Sequence, residues 1–401
     1  MFSIPSLLHL DQLLALPYRL FRCVYLAIRK YYSAGHQEND RAVVLKLLGM
    51  GSIIRMVSIW EENQVNITTI RLCTFHQNKE ICEILGLQQT IYIRQQNLVT
   101  FLADVFRALW LIRQFRPQYL LDLERCSHAV GIFRMAGGLL ADAKTLSLNK
   151  QKDYVNEKND QEWSLHQRTF GEAIQQATNF LTKATLNDES QANRRDSRKE
   201  SLVCSHKILV NINASAYLPE RRYPLSYFAD LLQALQSRPI PYTFYLTGSA
   251  EEHDYVQLLE DLLEQRGIEA YNVAGLWNLR ELVYQLSDCR VFITNDSGPM
   301  HLATYLQIPT VALWGPTHYR YFGYKNNAYT QHISLEMPCA PCFTDPTTKV
   351  AMACGGKITC MKGLRPQRIA RAVELGILLQ PPFRTWLVPR GMKVYEFMSF
   401  Q

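Results

Sequence analysis

From Arg41 onward, apolar and polar positions follow one another in two alternating rhythms. Short apolar runs at 42–48 (AVVLKLL), 66–75 (NITTIRLCTF), 90–94 (TIYIR) and 119–124 (YLLDLE) predict strands. Between and after them, 98–115 and 127–137 repeat apolar residues at helical spacing. The alternation returns further on. Strands are expected at 207–213, 242–247, 269–273, 290–294 and 309–314, and helices near 224–236, 252–266, 279–286, 299–306 and 366–379. Such alternation predicts an α/β chain with parallel sheets, since parallel neighbours need a crossover and a helix usually supplies it.

The pattern lapses between the two blocks. "NKQKDYVNEKNDQEW" is polar, "HQRTFGEAIQQATNFLTKA" is helix-like, and "NDESQANRRDSRKES" is charged and almost without apolar residues. This stretch reads as a helix flanked by mobile linker, a natural domain boundary. The expected organisation is a segment 1–35, a first lobe 36–145, a helix and linker 146–205, a second lobe 206–380 and a tail 381–401. Two α/β lobes joined by a linker would leave a cleft, a common ligand site.

Composition adds few constraints. Of 401 residues, 47% are hydrophobic and 20% charged, values of a folded soluble protein. A net charge of +7 permits attraction to anionic ligands or lipids without arguing for nucleic acid. Charges interrupt every long apolar run, so no transmembrane helix is expected, and the start does not read as a secretory signal. The segment "LLALPYRLFRCVYLAIRKYY" is amphipathic, with Arg19, Arg22, Arg29 and Lys30 on one arc and Leu20, Phe21, Val24 and Ile28 on the other. A helix lying on an anionic membrane and a helix packed on the protein's own core both fit.

"NDSGPMHLATYLQIPTVALWGPT" (295–317) places two Gly-Pro breaks just after consecutive strands. Asp296 or Ser297 can cap the helix that follows, and Pro299 suits its first turn. Gly298 lets a ligand approach the backbone, and the free N–H groups there favour an anion, usually a phosphate. His301 stands one turn on. Gly315-Pro316-Thr317 closes the next strand and Gly248-Ser249 an earlier one, so all three loops leave one sheet edge, suggesting a diphosphate pocket. Each loop alone is also explained by turn-forming residues.

Ten cysteines are present. Those at 23, 73, 82, 126, 204 and 289 lie mostly in apolar contexts and read as reduced core residues. Cys339, Cys342, Cys354 and Cys360, opened by a C-x2-C pair, fit a tetrahedral structural zinc site. Unmetallated thiols or disulfides remain the alternative. No basic-aromatic run accompanies them, so a zinc-ribbon nucleic-acid module is not expected.

The 295–317 motif resembles the donor-binding signature of glycosyltransferase family 9, the heptosyltransferase-like enzymes of lipopolysaccharide assembly. "INASAYLPERRYPLSYFADLLQAL" (212–235), "FYLTGSAEE" (244–252) and "NVAGLWNLRELVYQLSDCRVFITNDSGPMHLA" (272–303) follow the family order. "VVLKLLGMGSIIR" (43–55) resembles its N-terminal glycine loop, with Gly49 and Gly51. The likeness is strong over 205–375, weaker over 41–140, and does not reach the first 35 residues, the linker or the tail.

The resemblance implies a GT-B fold, with donor in the second lobe and acceptor in the first. It implies an inverting transferase that moves a sugar, heptose by family default, from a nucleotide diphosphate to a lipopolysaccharide or related glycan. No catalytic metal is implied, and no two aspartates stand in an Asp-x-Asp motif. Location at the cytoplasmic face of the inner membrane follows, giving the basic amphipathic start a purpose. The diphosphate would be held by the backbone around Ser297 and Gly298, by Thr317, and by Arg221 or Arg222, which stand where the family often carries a basic residue. The nucleobase would lie near Ala274, Gly275 and Leu276. Many heptosyltransferases carry an aspartate after the second glycine of the loop. Ser52 stands there and cannot act as a base near neutral pH unaided. The candidates are then Glu124, nearer the strand's carboxyl end than Asp122, and His128 one turn on. A chain that binds nucleotide sugar or glycan without catalysis is the other reading.

Overall fold

The computed structural model describes residues 41–123, 144–147, 199–202, 206–214, 218–237, 242–324, 327–342, 354–378 and 383–386. The chain divides into two compact units, Met1–Ala192 and Asn193–Gln401.

The first unit carries a five-stranded parallel sheet in the order β3-β2-β1-β4-β5. Its strands are β1 Ala42–Leu45, β2 Ile70–Phe75, β3 Ile91–Ile93, β4 Tyr119–Asp122 and β5 Lys144–Ser147. Its helices are α1 Met50–Glu62, α2 Lys79–Ile84 and α3 Leu98–Phe115. Helix α3 begins where its sequence says it must. Asn97 and Thr100 form a reciprocal capping box, and the helix ends at Arg116, in a left-handed conformation (φ 49°) just before Pro117. Phe101, Val105, Leu109, Ile112 and Phe115 form its buried stripe. Each such side chain contributes about 1.5–3 kcal/mol of apolar burial.

The second unit holds six parallel strands in the order β12-β11-β10-β7-β8-β9. They are β7 Lys207–Asn211, β8 Thr243–Thr247, β9 Ala270–Asn272, β10 Val291–Asn295, β11 Thr310–Leu313 and β12 Thr330–Ile333. Helices α4 Leu225–Gln236, α5 His253–Glu264, α6 Leu279–Asp288, α7 Gly298–Tyr305 and α10 Pro366–Leu378 accompany them, with short α8 Tyr319–Phe322 and α9 Thr359–Lys362. The core packs α4 residues Phe228, Leu231, Leu232 and Leu235 with Ile208, Val210, Phe244, Leu246, Ile293 and Val311.

Two expectations need correction. The run 66–75 starts as a 3-10 turn, Ile67–Thr69, because Asn66 accepts a hydrogen bond from the Thr68 amide and delays the strand to Ile70. The stretch 146–205 is not only helix and linker. It shares strand β5 at its start, and near its end β6, Lys199–Leu202, pairs antiparallel with β13, Phe383–Trp386, in the tail. Backbone hydrogen bonds make that pair, so the charged side-chain pattern of "KESL" did not announce it. The helix expected at 127–137 and the segment 1–35 lie outside the described residues. Among the described residues no helix is long and apolar enough to cross a membrane.

Candidate functional site

In the second sheet the chain order turns back between β7 and β10, which lie side by side with Thr294 opposite Asn211. In open parallel sheets ligands collect outside the carboxyl ends of the strands at such a reversal. The residues expected to bind donor fall on loops leaving this edge. Arg221 and Arg222 follow β7, Gly248 follows β8, Asp296 through His301 follow β10, and Gly315 and Thr317 follow β11.

Of the two caps the sequence allowed for α7, the structure uses Ser297. Its extended backbone (φ −153°, ψ 168°) lets Oγ accept from the Met300 amide at 3.4 Å, and Pro299 sits in the first turn. Asn211 Nδ2 donates to Ser297 Oγ at 2.9 Å and to Thr294 Oγ1 at 3.2 Å, so the cap is locked by the neighbouring strand.

Asp296 is freed for another task. It is 3% exposed, and Oδ2 accepts from Arg221 Nη1 at 3.1 Å and from Thr317 Oγ1 at 2.6 Å. His301 Nε2 stands 3.8 Å from Oδ1. Burial alone would raise this carboxyl's pKa, but Arg221, His301 and the Thr317 hydroxyl together hold it below its ordinary value. One carboxylate thus joins three loops and aims a guanidinium at the start of α7. Among the described residues the Nε atoms of Arg221 and Arg222 and the Oδ1 of Asn213 are buried without a hydrogen-bond partner, leaving unused polar capacity at this edge.

Arg222 is placed differently. Its guanidinium lies 4.3 Å from the Tyr255 ring centre and Nη2 reaches the Ala214 carbonyl at 3.4 Å. The turn carrying both arginines is tied to the Asp296 loop because the Tyr223 amide donates to Asn295 Oδ1 at 3.2 Å and Asn295 Nδ2 donates to the Ile212 carbonyl at 2.8 Å. Asn211, Asn213 and Asn295 were missed from sequence. Their signal was amides directly at the ends of apolar strands, in "LVNIN" and "FITND".

The glycines have steric reasons. A Cβ on Gly248 would stand 2.8 Å from Asn213 Nδ2, and one on Gly315 2.3 Å from Met361 Sδ and 3.3 Å from Cys360 Sγ. Gly275, at φ +78°, brings the loop after β9 against Ala250, with Ala274 buried and Leu276 68% exposed. Beyond β11, the Trp314 indole donates to His332 Nδ1 at 3.0 Å, and burial pushes His332 down to about 4.

In the first unit Gly49 caps α1 at φ +83°, a conformation that favours glycine, and Gly51 is buried in the first turn. Ser52 is half-buried there, its amide bonded to the Gly49 carbonyl at 3.0 Å. Asp122 is fully buried at the end of β4. Glu124 and His128 lie outside the described residues.

Cys73, Cys82 and Cys289 are buried thiols, whereas Cys23, Cys126 and Cys204 lie outside the described residues. Of the late group, Cys342 Sγ donates to the Cys339 carbonyl at 3.0 Å. The Cys354 thiol is held below its ordinary value, first by the Thr359 amide and then by those of Ile358, Gly356 and Lys357. Burial pushes Cys360 up to about 11, and the nearby Cys342 and Cys354 charges add to this. Among the described residues no three Cys, His, Asp or Glu side chains come together as a metal site.

The edge therefore offers the Gly298 N–H at the start of a helix, a carboxylate-paired arginine and buried hydroxyls, a set that suits an anionic, phosphate-bearing ligand. The model of glycosyltransferase family 9 (heptosyltransferase) matches residues 135–352. Lipooligosaccharide heptosyltransferase 2 of Campylobacter jejuni (serotype O:6) is 29% identical over 171 residues, 42% of this chain and 51% of that protein. Lipopolysaccharide heptosyltransferase 2 of Salmonella typhimurium is 35% identical over 127 residues, 30% of this chain and 36% of that one. The chain spans about half the length, or less, of these curated relatives. A solved glycosyltransferase family 9 structure from Veillonella parvula superposes with a TM-score of 0.60 at 16% identity, covering 87% of this chain and 100% of that one. The structure of E. coli ADP-heptose lps heptosyltransferase II does so at 0.55 and 16%, covering 84% and 98%. These likenesses show the fold, the α/β GT-B type expected above.

Proposed function

The chain belongs to glycosyltransferase family 9, and from this premise we propose that it transfers a sugar, with inversion, from a nucleotide diphosphate to a lipopolysaccharide or related envelope glycan. The observation that carries the proposal is Arg221, oriented by Asp296 and Thr317 beside the start of α7 at the β7–β10 reversal. As the bond to the anomeric carbon breaks, negative charge grows on the departing diphosphate. The guanidinium and the Gly298 N–H at the start of α7 would stabilise it. The nucleobase is assigned to Ala274–Leu276. Glu124 is assigned as the base that takes the acceptor's proton, with His128 second. Similarity in fold to an E. coli ADP-heptose lps heptosyltransferase makes ADP the first nucleotide to try. Residues 1–35 are assigned to membrane contact at the cytoplasmic face.

Calorimetric titration with ADP, GDP, UDP, CMP and dTDP tests the donor site. One nucleotide diphosphate is expected to bind, and Gly298→Trp to abolish binding while melting normally. Binding by none of them would overturn the donor reading. Ser52, in the loop position where many relatives carry aspartate, favours the second reading, a binding protein without catalysis. Nucleotide binding without turnover would select it. Turnover lost in Glu124→Gln but not in His128→Gln would identify the base.

We also assign Cys339, Cys342, Cys354 and Cys360 to a structural metal, zinc by donor chemistry. The assignment rests on the donor chemistry and C-x2-C spacing of the four thiols, which are not gathered into a metal-holding group in this structure and would have to close around the ion. Cys360 and Met361 pack under Gly315, so the metal would brace the loop after β11. About one metal equivalent per chain is expected by atomic emission, and a chelator should lower the melting temperature by several degrees, on the order of a few kcal/mol. Metal-free protein that melts identically with chelator would remove this assignment.

A further inference from the structure

Helix α3 buries one face, yet it also exposes an apolar line. Val99 is 78% exposed, Phe106 66% and Trp110 56%, and Ala103 is exposed between them. At 100° per residue these four lie within an arc of about 60°, along roughly 16 Å of helix. A tryptophan and a phenylalanine left open on the outer face of a helix whose inner face is already packed have no role in this unit's core.

The surroundings are basic. From Arg94 to Arg116 the chain carries four arginines, Arg94, Arg107, Arg113 and Arg116, against one acid, Asp104, which is buried. Asp104 accepts from Arg94 at 2.8 Å and stands 3.6 Å from Arg107, leaving both guanidinium groups about half exposed. Ala103 is shared between the apolar line and an open hollow of about 520 Å³, also lined by His76, Lys79, Tyr92, Arg94, Arg107 and the Asp104 that pairs with both arginines. Lys79 lies 3.7 Å from Glu83, with both side chains largely in solvent.

From this geometry we infer that the outer face of α3 docks on an anionic lipid bilayer. Val99, Phe106 and Trp110 enter the boundary between headgroups and acyl chains, and the hollow beside Ala103 takes lipid phosphates. An apolar line edged by arginines, with its tryptophan at the margin, matches the layering of such an interface. A protein partner would need complementary acids and a closed rim, whereas the bilayer supplies dense negative charge next to hydrocarbon. This surface deepens the membrane contact proposed above and does not use residues 1–35.

The test is flotation of the full chain with vesicles of phosphatidylglycerol and phosphatidylethanolamine, against phosphatidylcholine alone, for wild type and Phe106→Glu/Trp110→Glu. Both substituted positions are exposed, and circular dichroism melting checks that the variant folds. Wild type is expected to float with anionic vesicles and to be released by salt, and the variant to bind on the order of tenfold more weakly. Equal binding by the two proteins would overturn the α3 assignment while leaving membrane contact to another segment. No binding by wild type would overturn both. A wild-type dimer that the variant converts to monomer, without a change in vesicle binding, would assign the face to a second copy instead.

Discussion

Asp296→Ala is expected to destabilise the C-terminal unit by about 3–5 kcal/mol, on the order of 10 °C in melting temperature. The substitution strands a guanidinium whose side chain is 15% exposed, and it removes the acceptor of the Thr317 hydroxyl. Losing one member of a buried pair costs more than the pair contributes net, because the remaining charge has no solvent to replace its partner. The pH dependence identifies the cause. Asp296 has a folded pKa below its unfolded value of about 3.9, so its stabilisation is complete above that value and fades as pH falls through the folded one. His332 acts in a higher window. It is pushed down to about 4 from an unfolded value of about 6.5, so the unfolded chain takes up a proton that the folded one refuses, and stability declines as pH drops across that interval. Wild type should therefore show two acid limbs in urea unfolding, and Asp296→Ala should keep the upper limb and lose the lower. Unchanged stability at pH 7 would show that Arg221 finds another partner and that the three-loop junction is not held by this carboxylate.

Arg221→Met should weaken binding of the preferred nucleotide diphosphate by about a hundredfold, while Arg222→Met should change it by about twofold or less. Adjacent arginines would act alike if they formed a diffuse positive patch. Here Arg221 pairs with Asp296 beside the start of α7, whereas Arg222 lies over the Tyr255 ring and reaches the Ala214 carbonyl. Arg222→Met should instead cost about 1 kcal/mol of stability, through the lost cation–π and carbonyl contacts. Calorimetry on both variants, with melting curves, separates the two roles. Equal losses of affinity would overturn the distinction.

Local rules made much of this protein legible. The extents of α3 and α7 came close to the expected 98–115 and 299–306, because apolar periodicity acts within a few turns. The parallel sheets followed from alternation of strand and helix. The loops carrying Gly248, Gly298 and Gly315 could be assigned to one edge, because in a parallel sheet with crossover helices every strand-to-helix loop leaves from the same side. The 295–317 motif carried the family because its two Gly-Pro breaks, its cap and the strand between them are close in sequence.

Pairing across distance was not legible. Whether Asp296 or Ser297 capped α7, and which arginine turned toward it, depended on the loop after β7 meeting the loop after β10, 75 residues apart. The asparagines at 211, 213 and 295 gained their meaning only when the strand ends were juxtaposed. The β6–β13 pair joins "KESL" to "FRTW" through backbone groups that every sequence possesses. The apolar outer line of α3 reads from sequence as more core, because periodicity counts apolar residues and does not say which face another element covers. Local propensity and spacing thus determined the elements and their order. Which polar groups met, and which apolar ones stayed open, was decided by tertiary packing, because desolvation and ion pairing depend on distances that only the folded chain sets.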